Sequence, residues 1–178
     1  IVELVEASKR KFKTLSFIDN NIYSDPVYAR ELFKKLKPQK IKWQTHCTID
    51  IAEDPQALRL AKESGCNMLA IGYEVFGGSP EKEQGGKIAM ADRYKELTRN
   101  IKKAGINIRA NFVFGFDSDS FKTLFKLWKF SFSIMPAFVA VSFLTPLPGS
   151  RFYNDMLREN RIINQNWRKY NLFNVVFR

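Results

Sequence analysis

Five short apolar runs in this sequence end on polar residues, and those ends hold the residues that could do chemistry. The first closes on Asp19-Asn20-Asn21, the second on Thr48 and Asp50, the third on Glu74, the fourth on Asp117 and Asp119, and the fifth on Thr145. A carboxylate after a strand is often only the cap of the next helix, which suits Asp50 and Asp119. Glu74 precedes a long polar loop instead, which favours a functional role. Lys87 follows that Gly-rich loop. It has the character of a substrate or phosphate contact, of a Schiff-base nucleophile with Glu74 or Asp117 as its acid–base partner, or simply of a solvated lysine. Gly72 and Gly115 interrupt two of the apolar runs near their ends, where a missing side chain lets a flat ligand approach or lets the core pack. The turn Thr145-Pro146-Leu147-Pro148-Gly149-Ser150 leaves main-chain groups free to read the edge of a planar heterocycle, or serves as a stiff connector. His46 is the only histidine, so a histidine-based metal site lacks ligands.

These ends need a scaffold, and the punctuation between them supplies one. Residues 15–19 read as a strand, then Asp25-Pro26 starts a helix with Ala29, Leu32, Phe33 and Leu36 on one face. Ile41, Trp43, Thr45, Cys47 and Ile49 alternate as a strand, and Asp54-Pro55 opens a helix closed by Gly65. Residues 67–74 form a nearly unbroken apolar strand, as expected when both sheet faces are covered. Met90, Tyr94, Leu97 and Ile101 line a helix ending at Gly105. Ile108, Ala110, Phe112, Phe114 and Phe116 give a fourth strand. Asp119 or Ser120 caps a helix bearing Phe121, Leu124, Phe125 and Trp128. Residues 137–144 are a fifth strand, and Ser150 caps the helix after it; another helix over 1–11 precedes the series. Strict alternation predicts an α/β fold: a partial, TIM-like (β/α) barrel of about five parallel βα units, its first strand lying upstream of Ile1.

The 178 residues are 45% apolar and 26% charged, enough to build a core without a staple. Two cysteines, Cys47 and Cys66, are too few for a disulfide framework, a structural zinc site or a cysteine-ligated cluster. The net charge of +11 raises nucleic acid or an anionic membrane as partners. The basic residues are read as scattered, without a stripe interleaved by aromatics, so most belong to solvated helix faces and nucleic acid is disfavoured. The uncharged stretch 130–150 holds Pro136, Pro146 and Pro148, which marks a buried strand rather than a membrane span. No signal peptide is visible in the sequence, a cytoplasmic location is expected, and both ends look like cuts through a longer protein.

The strings FIDNN at 17–21, WQTHCTIDIAEDPQAL at 43–58, IGYE at 71–74, FVFGFDSD at 112–119 and LTPLPGS at 144–150 occur in order. Together they resemble radical S-adenosylmethionine (radical SAM) enzymes, most of all the class with an N-terminal cobalamin-binding domain. The resemblance implies a partial barrel in which a CxxxCxxC loop after the first strand holds a [4Fe-4S] cluster. The cluster chelates S-adenosylmethionine and cleaves it to a 5′-deoxyadenosyl radical. It places Asp19, Asn20 and Asn21 near the methionyl portion, Gly72 and Glu74 at the ribose or methionyl group, Gly115 and Asp117 beside the adenosyl moiety, and Thr145, Pro146 and Leu147 at the adenine. Residues 1–160 would be the barrel arc and 161–178 the start of a C-terminal extension.

Two departures qualify the match. The cluster motif is absent, so its thiolates would come from a missing N-terminal segment, and cobalamin from a separate upstream domain. Asp19-Asn20-Asn21 also carries one carboxylate where relatives commonly carry two. The implied reaction is methylation or another modification of an unactivated carbon on a small-molecule or lipid-like substrate, with a reductant protein serving the cluster. Left open beside this are a barrel lyase or aldolase built on Lys87, and a basic module for RNA or a membrane surface.

Overall fold

In the computed structural model, which describes residues 2–9, 11–73 and 86–178, five parallel strands lie side by side in chain order. Helix α1 (Val2–Lys9) leads to β1 (Thr14–Ser16), followed by α2 (Pro26–Leu36), β2 (Lys42–Cys47), α3 (Pro55–Glu63), β3 (Cys66–Gly72) and α4 (Gly86–Lys103). Then come β4 (Asn107–Phe114), α5 (Phe121–Ile134), β5 (Phe138–Phe143) and α6 (Arg151–Arg158). Each strand pairs with the next in parallel, and the sheet curls into a half-barrel, the α/β architecture expected.

The helices start where the sequence says they must. Asp25 accepts from the Val27 and Tyr28 amides at 2.9 and 3.0 Å, Asp54 from Ala57 at 2.9 Å, and Ser150 from Tyr153 at 3.1 Å. Ser120, not Asp119, caps α5, in a box with Thr123. Pro26 and Pro55 sit in the first turns, where no amide partner is lost.

Pairing partners in adjacent parallel strands share a sheet face, and the two faces differ in kind. Trp43, Cys47, Leu69, Ile71, Ile108, Ala110 and Phe112 are buried and join one core with Phe33, Leu36, Leu58, Ile101 and Phe130 from the helices. Tyr73 stacks on Phe112 and meets Phe130 edge-on, with its hydroxyl 2.7 Å from that of the buried Thr98. Trp43 donates its indole N–H to the Ser64 carbonyl at 3.0 Å. The other face bears Ser16, Gln44, His46, Met68, Ala70, Arg109 and Asn111, in registers such as His46–Ala70–Arg109–Phe138. Among the described residues, the core helices pack on the first face and not on this one.

Several expectations shift. Strand β1 ends at Ser16, although Phe17 still donates to Gln44 at 2.9 Å. Strand β4 ends at Phe114 rather than Phe116, because Gly115 turns to φ +114°. Strand β5, expected to be buried, is exposed at Phe138, Val139 and Val141. The largest change is in α5. Its core residues are Leu127, Phe130, Ser131 and Ile134, whereas Phe121, Leu124, Phe125 and Trp128 face outward. The helix carries two apolar stripes, and periodicity alone does not choose between them.

Gly65 ends α3 with φ +102°, and a Cβ there would lie 2.0 Å from the Ile41 carbonyl oxygen. Backbone, not a flexible side chain, would have to move. Gly65→Ala should therefore cost at least about 2 kcal/mol in urea unfolding. Gly149→Ala, at φ +84° with open space around it, should cost only about 1 kcal/mol.

Candidate functional site

Parallel pairing brings the carboxyl ends of all five strands to one edge of the half-barrel, and the described polar residues after β1, β2, β4 and β5 share that rim. The loop after β1 turns back along β2: Ile22 donates to the His46 carbonyl at 3.2 Å. Asn21 is the knot. Its side-chain oxygen accepts from the amides of Tyr23 and Thr48, both at 3.1 Å, joining two strand ends. Its oxygen is therefore committed to the scaffold, while Asp19 and Asn20 stay exposed. The Thr48 hydroxyl in turn donates to Asp50.

Below the rim loop, the Tyr23 hydroxyl donates to Asp54 at 2.9 Å, and Arg30 pairs with the same carboxylate. Burial works against the Asp54 charge. The Ala57 amide, the Tyr23 hydroxyl and the Arg30 guanidinium outweigh it and hold the carboxyl below its ordinary range. Burial, reinforced by that same carboxylate, pushes the Tyr23 phenol up to about 12.

Gly72 ends β3 on the open face opposite Asn111, and it is exposed. Glu74 lies outside the described residues; Lys87 stands in the first turn of α4. At the end of β4, the Asp119 carboxylate gathers the amides of Gly115 and Phe116 at 2.8 and 3.0 Å. Asp117 is exposed but forked by Arg161, with one contact at 3.0 Å. That hydrogen bond holds its carboxyl below the usual range. After β5, Thr145 is buried and donates its hydroxyl to the Phe143 carbonyl at 3.0 Å; Pro146 is buried beside it, and Leu147 is half exposed. The Leu147 carbonyl accepts from both the amide and the hydroxyl of Ser150.

The open face carries residues that the motif reading passed over. A cavity of about 50 Å³ lies among Ser16, Gln44, Thr45, His46, Met68, Ala70 and Arg109. Arg109 Nη2 is 3.3 Å from His46 Nε2. A guanidinium only donates, so Nε2 is the acceptor and the imidazole proton sits on Nδ1. Arg109 Nε is buried with no hydrogen-bond partner. None of the five strands contains an acidic residue. The signal was in the sequence: Asn107, Arg109 and Asn111 alternate with Ile108, Ala110 and Phe112. A larger hollow of about 470 Å³, between α3 and α4, lies on the outer layer away from the rim.

The two thiols do not fit an iron–sulfur cluster. Cys47 and Cys66 are both buried in the helix-covered core. Burial pushes the Cys66 thiol up to about 12 and strongly raises that of Cys47. Neither is a thiolate at neutral pH. Among the described residues, no group of three or more His, Cys, Asp or Glu side chains converges as a metal site.

No family model matches the chain. Over 169 residues it is 29% identical to bacteriochlorophyllide d C-12(1)-methyltransferase of Chlorobaculum tepidum, covering 95% of the chain and 36% of that protein. It is 27% identical over 188 residues to the C-8(2)-methyltransferase of the same organism, covering 99% and 41%. This chain is a homologue of these two methyltransferases. The anaerobic magnesium-protoporphyrin IX monomethyl ester cyclase of Cereibacter sphaeroides matches at 20% identity over 85% of the chain and 24% of that enzyme. The fold of this chain matches that of the radical S-adenosylmethionine methyltransferase TsrM of Kitasatospora setae, solved with cobalamin and a [4Fe-4S] cluster bound. The TM-score is 0.73 at 15% identity, over 89% of this chain and 33% of that one. The chain thus spans about two fifths or less of the curated relatives it matches.

The Asp54 linkage has a definite sign. A folded-state pKa below the unfolded value of about 3.9 adds stability above that pH, and the contribution is lost as pH falls through the folded value. Urea midpoints measured from pH 7 to pH 3 should fall more steeply for the native chain than for Asp54→Asn.

Proposed function

We propose that this chain forms the cofactor-binding arc of a radical SAM methyltransferase. In this reading the [4Fe-4S] thiolates and a cobalamin come from outside its 178 residues, and a reductant protein serves the cluster. When bound, S-adenosylmethionine would supply a transferable methyl group and the reactive sulfonium. The chain's own part is to bind, to orient and to keep water out. One observation carries the reading: the guanidinium of Arg109, its buried Nε without a hydrogen-bond partner, on an open face whose strands bear no carboxylate, below the edge where five parallel strands end.

Arg109 would pair with the methionyl carboxylate, its free Nε supplying a charge-assisted bond. His46, already accepting from Arg109, would fix the angle of that fork. Gly72 would let the ligand lie flat against β3, and Gly115 would do the same at β4. The main-chain groups of Thr145, Pro146 and Leu147 would meet the adenine. Asp19, Asn20 and Glu74 complete the proposed site, with Lys87 toward the substrate; Asn21 would act through the loop it ties. The substrate would be a large apolar ring compound, as bacteriochlorophyllide d is for two relatives. Phe138, exposed on the open face in register with Arg109, would stack against it. Residues 161–178 would begin a C-terminal extension.

Equilibrium binding of S-adenosylmethionine to the cluster-loaded protein tests this. Arg109→Ala should weaken binding about ten-fold or more, since a charged hydrogen bond contributes about 1.5–3 kcal/mol. Arg109→Lys should recover part of the loss, and Glu74→Ala should also weaken binding. Native affinity in both alanine variants would remove the ligand from this face.

A further inference from the structure

We propose that the outer face of α5 docks the protein on an anionic lipid surface. The face is a ladder of rings. Phe121, Phe125, Trp128 and Phe132 are 91%, 58%, 53% and 66% exposed, with Leu124 beside them. Phe125 stacks on Trp128 at 5.6 Å between centroids, and Trp128 meets Phe132 at 4.8 Å. At 3.6 residues per turn these positions fall on one stripe. It runs opposite the side that Leu127, Phe130 and Ile134 bury in the core.

A second stripe, about 100° round the helix, is made of Lys122, Lys126 and Lys129, all exposed. Lys129 holds its ammonium 5.9 Å from the Phe125 ring centroid. So aromatics and lysines do interleave here, contrary to the reading of the basic residues as scattered. From Ser120 to Asn154 the sequence has no Asp or Glu. The next carboxylate, Asp155, is committed to Arg158.

A row of Phe and Trp flanked by lysines, on a helix held by its third side, is the chemistry of an interfacial helix. The rings enter the headgroup boundary while the ammonium groups reach anionic phosphates. No described helix is long and apolar enough to cross a membrane, so the contact is with the surface. A second copy of the chain is a poorer occupant. Packing two ladders together would collect three lysines from each helix around an apolar seam to which α5 brings no carboxylate. Nucleic acid would answer the lysines but would leave much of the stacked ladder wet. None of this depends on the reaction proposed above.

Vesicle flotation of the native chain is the test. It should float with vesicles of 70% phosphatidylcholine and 30% phosphatidylglycerol, float much less with pure phosphatidylcholine, and be released by added salt. Phe125→Ser/Phe132→Ser should reduce the bound fraction ten-fold or more. Each lysine replaced by glutamine should weaken binding to the anionic vesicles about five-fold. All these side chains are exposed, so an unchanged thermal melt certifies the variants. Failure of the native chain to float, or equal flotation by the serine variant, would overturn the proposal. So would a native dimer that the serine variant converts to monomer without lipid, since the face would then be an interface between copies.

Discussion

Parallel pairing is the constraint from which the rest of the structure follows. Two parallel neighbours cannot be joined by a tight turn, so each strand must return through a helix on one side of the sheet. The helices then take one face for their core. The ends that carry the catalytic repertoire of such folds all arrive at one edge. No residue has to be selected to meet another across the molecule. A polar residue placed just after any strand comes to the rim because the strands run the same way.

The consequence for the two faces is chemical. Under the helices nearly every alternate strand residue is apolar, Thr45 being the exception in β2, and polar atoms there find near partners, as Trp43 does in Ser64 and Tyr73 in Thr98. On the open face Ser16, Gln44, Asn111, His46 and Arg109 bring a hydroxyl, amides, an imidazole and a guanidinium among Met68, Ala70 and Phe138, with no carboxylate in any strand. A half-barrel lined in this way favours anions by its field and accepts polar ligands by its hydrogen bonds.

Much of this was legible in the sequence because it is written locally. Asp25-Pro26, Asp54-Pro55 and Ser150 mark helix starts through one side chain and two or three amides. Gly65 and Gly105 mark ends through their own dihedral angles. The ordered strings of polar residues after apolar runs, read with the resemblance they carry, led to the right fold and kin. What stayed hidden needed tertiary knowledge. The α5 sequence has rings on two stripes, and only the packing of Phe130 against Tyr73 and Phe112 decides which one is inside. Asn21 looked like a ligand contact, but its oxygen is spent on two backbone amides. The pairing of Asp117 with Arg161 is not visible from the strand end, because the two stand 44 residues apart. Arg109 does not stand out among residues that follow strands, because it sits within one.

The Asp117–Arg161 fork has a reach beyond its own loop. Arg161 opens the stretch that returns as an antiparallel bridge between Ile162 and Phe177 and closes a small second core of Met156, Val176 and Phe177. Leu172, on the same stretch, accepts the Phe143 amide at the end of β5. A carboxylate gripped by two guanidinium N–H groups is held at a set angle and offers a sugar hydroxyl only its remaining lone pairs. The last eighteen residues thus act as a latch on the fourth loop, and a guest that claimed Asp117 would have to loosen that latch first.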